Sequence, residues 1–221
     1  MFRKTMMAAA AVCAIAAAPV YAHVALTATP GSSPYAGPAP TYDFEGGGPT
    51  GGAPITGGLV LNSSNSGDNA QPFGSTGYYW SVGTSNNGAQ PGVLDLSSFG
   101  AIGAISFIWG SVDSYNTLEG LDRLGGVLAT FTGANAAVNP NGNQTSPITN
   151  PLARITIGGA DQYNVGGLRL TSGQNAFEVD NFAVTAVPEP AIWAMLLIGF
   201  AFIGAFMRGQ KRQQRLRLKY V

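Results

Sequence analysis

An all-β fold, a single β-sandwich of jelly-roll type, is what this sequence predicts for the body of the chain, and three observations predict it. Residues 23–187 carry about ten short apolar or aromatic stretches separated by loops rich in Gly, Asn, Ser and Pro, the pattern of short strands bounded by turn residues. No stretch within that segment keeps a helical period for ten residues. Its length suits one domain with a real core and is too short for two.

The elements follow in chain order. Arg3 and Lys4 precede an apolar stretch over 6–18, and Val20-Tyr21-Ala22 presents small residues where a signal peptidase reads them, so residues 1–22 are expected to be a signal peptide cut before His23. Cys13 is the one cysteine and lies inside that signal without a lipobox. Its removal leaves no thiol for disulfides or catalysis. Residues 23–40 are expected to form a flexible lead-in, because from Ala28 to Pro40 the chain is mostly Pro, Gly, Ser and Ala with little to bury.

Within a sandwich body at 41–187, strands are expected near 41–45, 59–62, 77–81, 92–96, 104–109, 116–119, 126–132, 153–157, 167–171 and 176–185. Alternation puts Ile105, Phe107 and Trp109 on the core face of one strand and Ser106 and Ile108 on the other face. In the last strand Phe177 and Val179 hold odd positions but Phe182 and Val184 even ones. The phase therefore flips near Asp180-Asn181, which predicts a β-bulge there.

The segment 188–221 differs from everything before it. Residues 191–207 contain no charged side chain, and six basic residues follow Met207. As a helix this run would measure about 26 Å, slightly short of a hydrocarbon core of about 30 Å. Snorkelling by Arg208 and Lys211, with Trp193 at the opposite interface, would close the gap. A transmembrane helix over 191–207 is expected; a buried core helix is the alternative.

Pro188-Glu189-Pro190, Trp193-Ala194, Gly199-Phe200, Gly204 and the basic end together resemble the PEP-CTERM sorting signal in its PEPxxWA form. The tail over 209–221 is longer than that pattern and includes Leu216, Leu218 and Tyr220. The resemblance implies recognition by an exosortase, a membrane protease of Gram-negative bacteria. It also implies anchoring in the inner membrane before processing and delivery to the cell surface or extracellular polysaccharide matrix. More loosely, Tyr42-Asp43-Phe44-Glu45, the stretch from Trp109 to Asn116, and the acidic strand Phe177-Glu178-Val179-Asp180-Asn181-Phe182 resemble the bodies of other exosortase-dependent surface proteins.

A neutral total of eleven basic and eleven acidic residues conceals an uneven distribution. Between the two ends only Arg123, Arg154 and Arg169 are basic, against ten acids, so residues 23–187 carry a net charge of minus seven. A basic stub after an acidic exported body fits the positive-inside rule. The same distribution argues against nucleic acid as a partner, which calls for a basic patch.

Calcium is the sharpest expectation for the acids. Asp43 and Glu45 lie on the first expected body strand and Glu178 and Asp180 on the last, two apart in each case, and in jelly-roll carbohydrate-binding modules such strands are commonly neighbours. Carboxylate oxygens suit that ion; a solvated strand face is the plainer reading of the same pattern. The stretch Trp109-Gly110-Ser111-Val112-Asp113-Ser114-Tyr115-Asn116 reads as a strand followed by a turn, with Gly110 allowing the bend and Asp113, Ser114 and Asn116 bonding nearby backbone. A glycan or ion contact is the alternative there, and Trp109 faces the core.

No enzyme activity is expected. His23 is the lone histidine, too few for a copper brace or a histidine-built zinc site, and a catalytic triad would have to use this terminal residue. Ten acids leave a carboxylate-based polysaccharide hydrolase as a remote alternative. The isolated pairs Thr27/Thr29 and Thr130/Thr132 make no flat threonine array of the kind that binds ice. The expectation is a surface or matrix protein with a structural or adhesive role in exopolysaccharide, with a calcium-dependent carbohydrate-binding module as the alternative.

Overall fold

The computed structural model describes residues 23–188 and 190–217. The expected signal peptide, 1–22, lies outside the described residues, as does Glu189 of the sorting signal. Eleven strands form two antiparallel sheets: β1 (His23–Thr29), β2 (Ile55–Thr56), β3 (Leu59–Leu61), β4 (Tyr79–Val82), β5 (Gly92–Asp95), β6 (Ile102–Gly110), β7 (Asn116–Asp122), β8 (Val127–Thr132), β9 (Leu152–Gly158), β10 (Val165–Ser172) and β11 (Phe177–Ala186). One sheet runs β1-β9-β6-β11-β4-β3 and the other β2-β5-β10-β7-β8. Two single-turn helices, α1 (Gly133–Ala136) and α2 (Asp161–Asn164), sit in loops, and a long helix, α3 (Pro190–Arg217), follows the last strand.

The sheets face each other across one apolar cluster. Ile105, Phe107 and Trp109 of β6, Ile155 and Ile157 of β9, and Phe177, Val179 and Phe182 of β11 meet Leu94 of β5, Leu118 of β7 and Leu168 and Leu170 of β10. Trp109 stacks on Phe177 with centroids 4.5 Å apart and planes within 9°. Phe107 lies 4.9 Å from Phe182. Period-two alternation thus places the odd residues of β6 inward as expected. The expected bulge is also present: the register of β11 against β6 shifts between Asp180 and Ala183, and Asn181 adopts a φ of 56°. The extra residue lets Phe177 and Val179 before it, and Phe182 after it, all reach the core.

Three expectations need correction. Residues 23–40 are not a flexible lead-in throughout, because His23–Thr29 form β1, paired over seven residues with β9. The chain at Val24-Ala25-Leu26 alternates in a way that the Pro-rich stretch after it obscured, and Val24, Leu26 and Ala28 pack on the core. The expected strand at 41–45 shrinks to a single bridge between Tyr42 and Phe182. It ends there because Phe44 turns to a φ of 61° and drops fully into the core beside Trp80 and Phe182.

The third correction concerns the expected transmembrane helix over 191–207. A helix is present, but it runs past Met207 to Arg217, since no proline interrupts that stretch. Its described apolar side chains, Trp193, Leu197 and Phe202 among them, are exposed. Among the described residues no helix is long and apolar enough to cross a membrane; the side chains at 191, 192 and 205 lie outside that set.

Trp109 carries a specific energetic signature. Its ring is fully buried, yet its Nε1 has no hydrogen-bond partner. Trp109→Ala should lose on the order of 3–5 kcal/mol of stability in chemical denaturation. Trp109→Phe, which keeps the stack on Phe177 and gives up no hydrogen bond, should lose less than about half of that. Equal losses for the two variants would show that the indole nitrogen is bonded after all.

Candidate functional site

The outer face of the six-stranded sheet is where the acids of β11 point. Glu178 and Asp180 alternate with the core residues Phe177 and Val179, so both carboxyls leave the sheet on the side away from the core. Neither is solvated: they are 2% and 1% exposed. The loop between β3 and β4 covers them. Pro72 presses on Gly110 at the end of β6, where a Cβ would lie 2.6 Å from its Cγ, so a side chain at 110 would lift the loop. From that loop the Ala70 N–H donates to Glu178 Oε1 at 2.9 Å and the Ser75 hydroxyl donates to Asp180 Oδ2.

The four carboxyls expected to hold calcium divide between two environments. Asp43 and Glu45 flank the inward-turned Phe44 and stay exposed, close enough to Asp180 to disfavour its ionised form. Glu45 accepts the Tyr78 N–H, and Asp43 Oδ1 accepts the Glu45 N–H at 3.1 Å. Glu178 turns to different partners: its Oε2 accepts the Ser111 hydroxyl at 2.8 Å. Among the described residues no group of three or more His, Cys, Asp or Glu side chains is arranged to hold a metal ion. The solvated-face alternative describes Asp43 and Glu45 but not the two buried acids of β11.

Glu178 opens instead onto a polar cavity of about 210 Å³. Its walls come from the β3–β4 loop with Asp68, the turn after β6 with Asp113 and Tyr115, the loop after α1 with Asn141 and Gln144, and the start of β11. The stretch from Trp109 to Asn116 is therefore both architecture and lining. The Asp113 N–H donates to Asn116 Oδ1 at 2.8 Å, and the Asn116 amide donates to Ser172 and to the Ala176 carbonyl. The Tyr115 hydroxyl donates to Asp113 Oδ2 at 2.7 Å. Gly142, at a φ of 68°, faces Asp113 so closely that a Cβ would sit 2.6 Å from Oδ1. Only glycine keeps that wall open.

Sequence reasoning singled out Asp113 and Glu178 but missed Asp68, Asn141 and Gln144. These lie in Gly- and Asn-rich loops whose composition reads simply as turn. Asp68 is held by the amide of Asn65 in its own loop and by those of Asn86 and Asn175 from two other segments, a convergence with no sequence signal.

Burial sets the acid chemistry. It pushes Glu178 up to about 7, against the hydrogen bonds from Ser111 and Ala70 and with help from the nearby Asp113 charge. Burial likewise raises Asp180 to about 7, opposed by Ser75 and the Asn181 N–H and reinforced by Glu45 and Asp43. Asp113 is raised too, by burial, with the Tyr115 hydroxyl working against it.

The body of two antiparallel sheets passes from its last strand, β11, almost directly into a proline-started helix, α3. Val187 still bonds to the sheet, donating its N–H to the Ala101 carbonyl at 2.9 Å. Pro188 has no N–H with which to continue the ladder, and α3 begins at Pro190, the first helical position where proline is favoured. Trp193 and Ala194 lie in the first turns of α3, exposed. Residues 186–212 match the family model of the PEP-CTERM protein-sorting motif. The chain thus carries that motif, which implies processing by an exosortase membrane protein and sorting to the surface or exterior of the cell. Neither the curated proteins nor the solved structures compared with the chain include a match.

The raised carboxyls predict a pH dependence of stability with a definite sign. Unfolded, Glu and Asp titrate near about 4.3 and 3.9, so between those values and about 7 the folded chain holds protons that the unfolded chain has released. Stability from these two groups is full below about pH 4 and declines as pH rises through 7, by on the order of 3 kcal/mol for each. Thermal melts should be higher at pH 5 than at pH 8, and Glu178→Gln should flatten the slope. An unchanged slope in that variant would show that Glu178 is ionised in the fold throughout this range.

Proposed function

We propose that this chain is an exported β-sandwich protein, of jelly-roll type, that is anchored at the membrane through its sorting segment and released or transferred by an exosortase, and that serves a structural or adhesive role in the extracellular polysaccharide of a Gram-negative cell. The observation that carries the reading is the sorting motif at residues 186–212, placed directly after a strand that completes the body. The signal peptidase site before His23 supplies the other end of the export route.

Several features of the body suit a passive role. Its polar cavity is walled by loops around a rigid sheet, a common arrangement for recognition sites. Its net negative charge keeps an exported domain soluble. A carbohydrate-binding role is favoured over a purely architectural one by the cavity beside Glu178, which presents amides and carboxyls rather than an apolar surface.

Fractionation of cells expressing the intact chain and a variant with Pro188, Glu189 and Pro190 replaced by alanines tests the sorting step. The intact chain should yield a shortened C-terminus by mass spectrometry and appear in the surface or matrix fraction. The variant should stay full-length and membrane-bound. Identical full-length membrane proteins in both strains would sink the sorting reading.

A further inference from the structure

The two flanks of the sandwich are built differently. On one, the sheets end in β2 and β3, strands of two and three residues. On the other they end in β1 and β8, of seven and six residues, with neither a proline nor a charged side chain in either. Short edge strands, prolines, charges and bulges are the usual guards against pairing with another chain. Of these, β8 has only a bulge, an extra residue at Leu128. Past it, residues 129–132 run in unbroken register with 117–120 of β7. Among the described residues no strand pairs with their other side.

Charge follows the same division. Residues 23–42 and 124–153, which supply β1, β8, α1 and the loop after α1, contain no Asp, Glu, Lys or Arg. Every charge of the body, ten acids and three arginines, comes from the remaining segments. Apolar side chains stand in solvent on the uncharged segments instead. Leu124 is 97% exposed, Val138 99%, Ile148 54% and Val127, at the head of β8, 48%. The acid nearest in register is Glu119, opposite Thr130, and Arg169 neutralises it in an ion pair. Two bodies of net charge minus seven repel each other wherever acidic faces meet. An uncharged flank is the surface through which they approach at least electrostatic cost.

We infer that β8 is a homotypic docking edge: two copies of the chain pair antiparallel through β8 and join their five-stranded sheets into one continuous sheet. A strand that pairs antiparallel with itself does so about a two-fold axis perpendicular to the sheet, so the contact is isologous and closes at two copies. In that geometry core-facing side chains meet core-facing ones and outward ones meet outward ones. Phe131, which packs on the core, comes beside the Ala129 and Phe131 row of the second copy. Thr130 comes beside the outward threonines at 130 and 132. Aromatic and threonine pairs across strands are stabilising. A second copy suits this edge better than a charged strand, because an acidic strand meets the repulsion of the body and a basic one finds no acid on β8 to pair with.

Sedimentation velocity of the full chain in mild detergent, from about 1 to about 100 μM, tests this. A monomer–dimer equilibrium is expected, and it should strengthen as salt rises, because screening weakens the repulsion between acidic bodies. Thr130→Lys should weaken the dimer at least about tenfold by setting like charges at the pairing edge. Thr130 is exposed and faces Glu119 across the ladder, so the new charge has an acid to meet within its own sheet and the monomer keeps its fold. Thr132→Asp, which retains a capping side chain at the start of α1, should weaken the dimer to a similar degree with the opposite sign of charge. Leu59→Lys, on the short edge strand β3 of the other flank, should leave it intact. Hydrogen exchange on the unsubstituted chain gives a readout that needs no variant to fold: amides over 127–132 should gain protection as concentration rises, and those over 59–61 should not. A monomer at every concentration, a dimer that survives both β8 substitutions or that Leu59→Lys disrupts, or protection that bypasses 127–132 overturns the assignment. So does a dimer that dissolves in salt, the behaviour of a basic tail from one copy bound to the acidic body of another.

Discussion

The insertion of β11 between β6 and β4 is the constraint on which the rest of this molecule depends. Without it the six-stranded sheet is two fragments, β1-β9-β6 and β4-β3. With it, both fragments share one backbone ladder, in which Glu178 is paired with Ser81 on one side and Gly110 on the other. The same strand sends Phe177, Val179 and Phe182 into the core and Glu178 and Asp180 to the opposite face. One ten-residue segment therefore joins a sheet, fills a core and builds the floor of the polar cavity. Its bulge at Asn181 makes the combination possible, because an unbroken alternation would have turned Phe182 outward.

This arrangement ties folding to sorting. The last strand of the body lies inside its sheet, between β6 and β4, so the sheet closes only after residues 177–186 have been made. The sorting motif begins at residue 186, and the chain remains bonded to the sheet through Val187. Long-range strand pairings of this kind carry a loop-closure cost before they return any contact energy. The two prolines at 188 and 190 then separate sheet from helix in the shortest possible space, each by its own geometry.

Burial of acids on the outer face is costly, and the loop between β3 and β4 is the means by which it is tolerated. That loop supplies N–H and hydroxyl donors to both carboxyls, and its close approach at Pro72 needs the bare backbone of Gly110. Buried acids paired only with neutral donors retain a strong demand for positive charge or for protons. In most domains an arginine would answer that demand. Here the three arginines of the body are committed to backbone carbonyls, to Glu119 and to Ser106, and of the two acids only Glu178 borders the cavity.

Local pattern alone determined much of the strand framework. Period two in Ile105, Phe107 and Trp109, the phase flip at Asp180-Asn181, and the turn chemistry of Asp113 and Asn116 are all local properties, and each appears in the structure where the residues imply it. The sorting motif was legible for the same reason, since its order and spacing are contiguous in the chain. Tertiary structure decided what depends on distant partners. β1 is a strand because β9 offers it an edge, and residues 41–45 are not one because the core takes Phe44 instead. Asp43 and Glu45 do not join Glu178, although two-residue spacing suggested a shared face, because an inward turn at Phe44 and a covering loop separate them. Asp68, Gln144 and Glu178 come together across more than a hundred residues, and no local pattern encodes that meeting: the cavity is made by the packing of loops, while the address that follows it is written in consecutive residues.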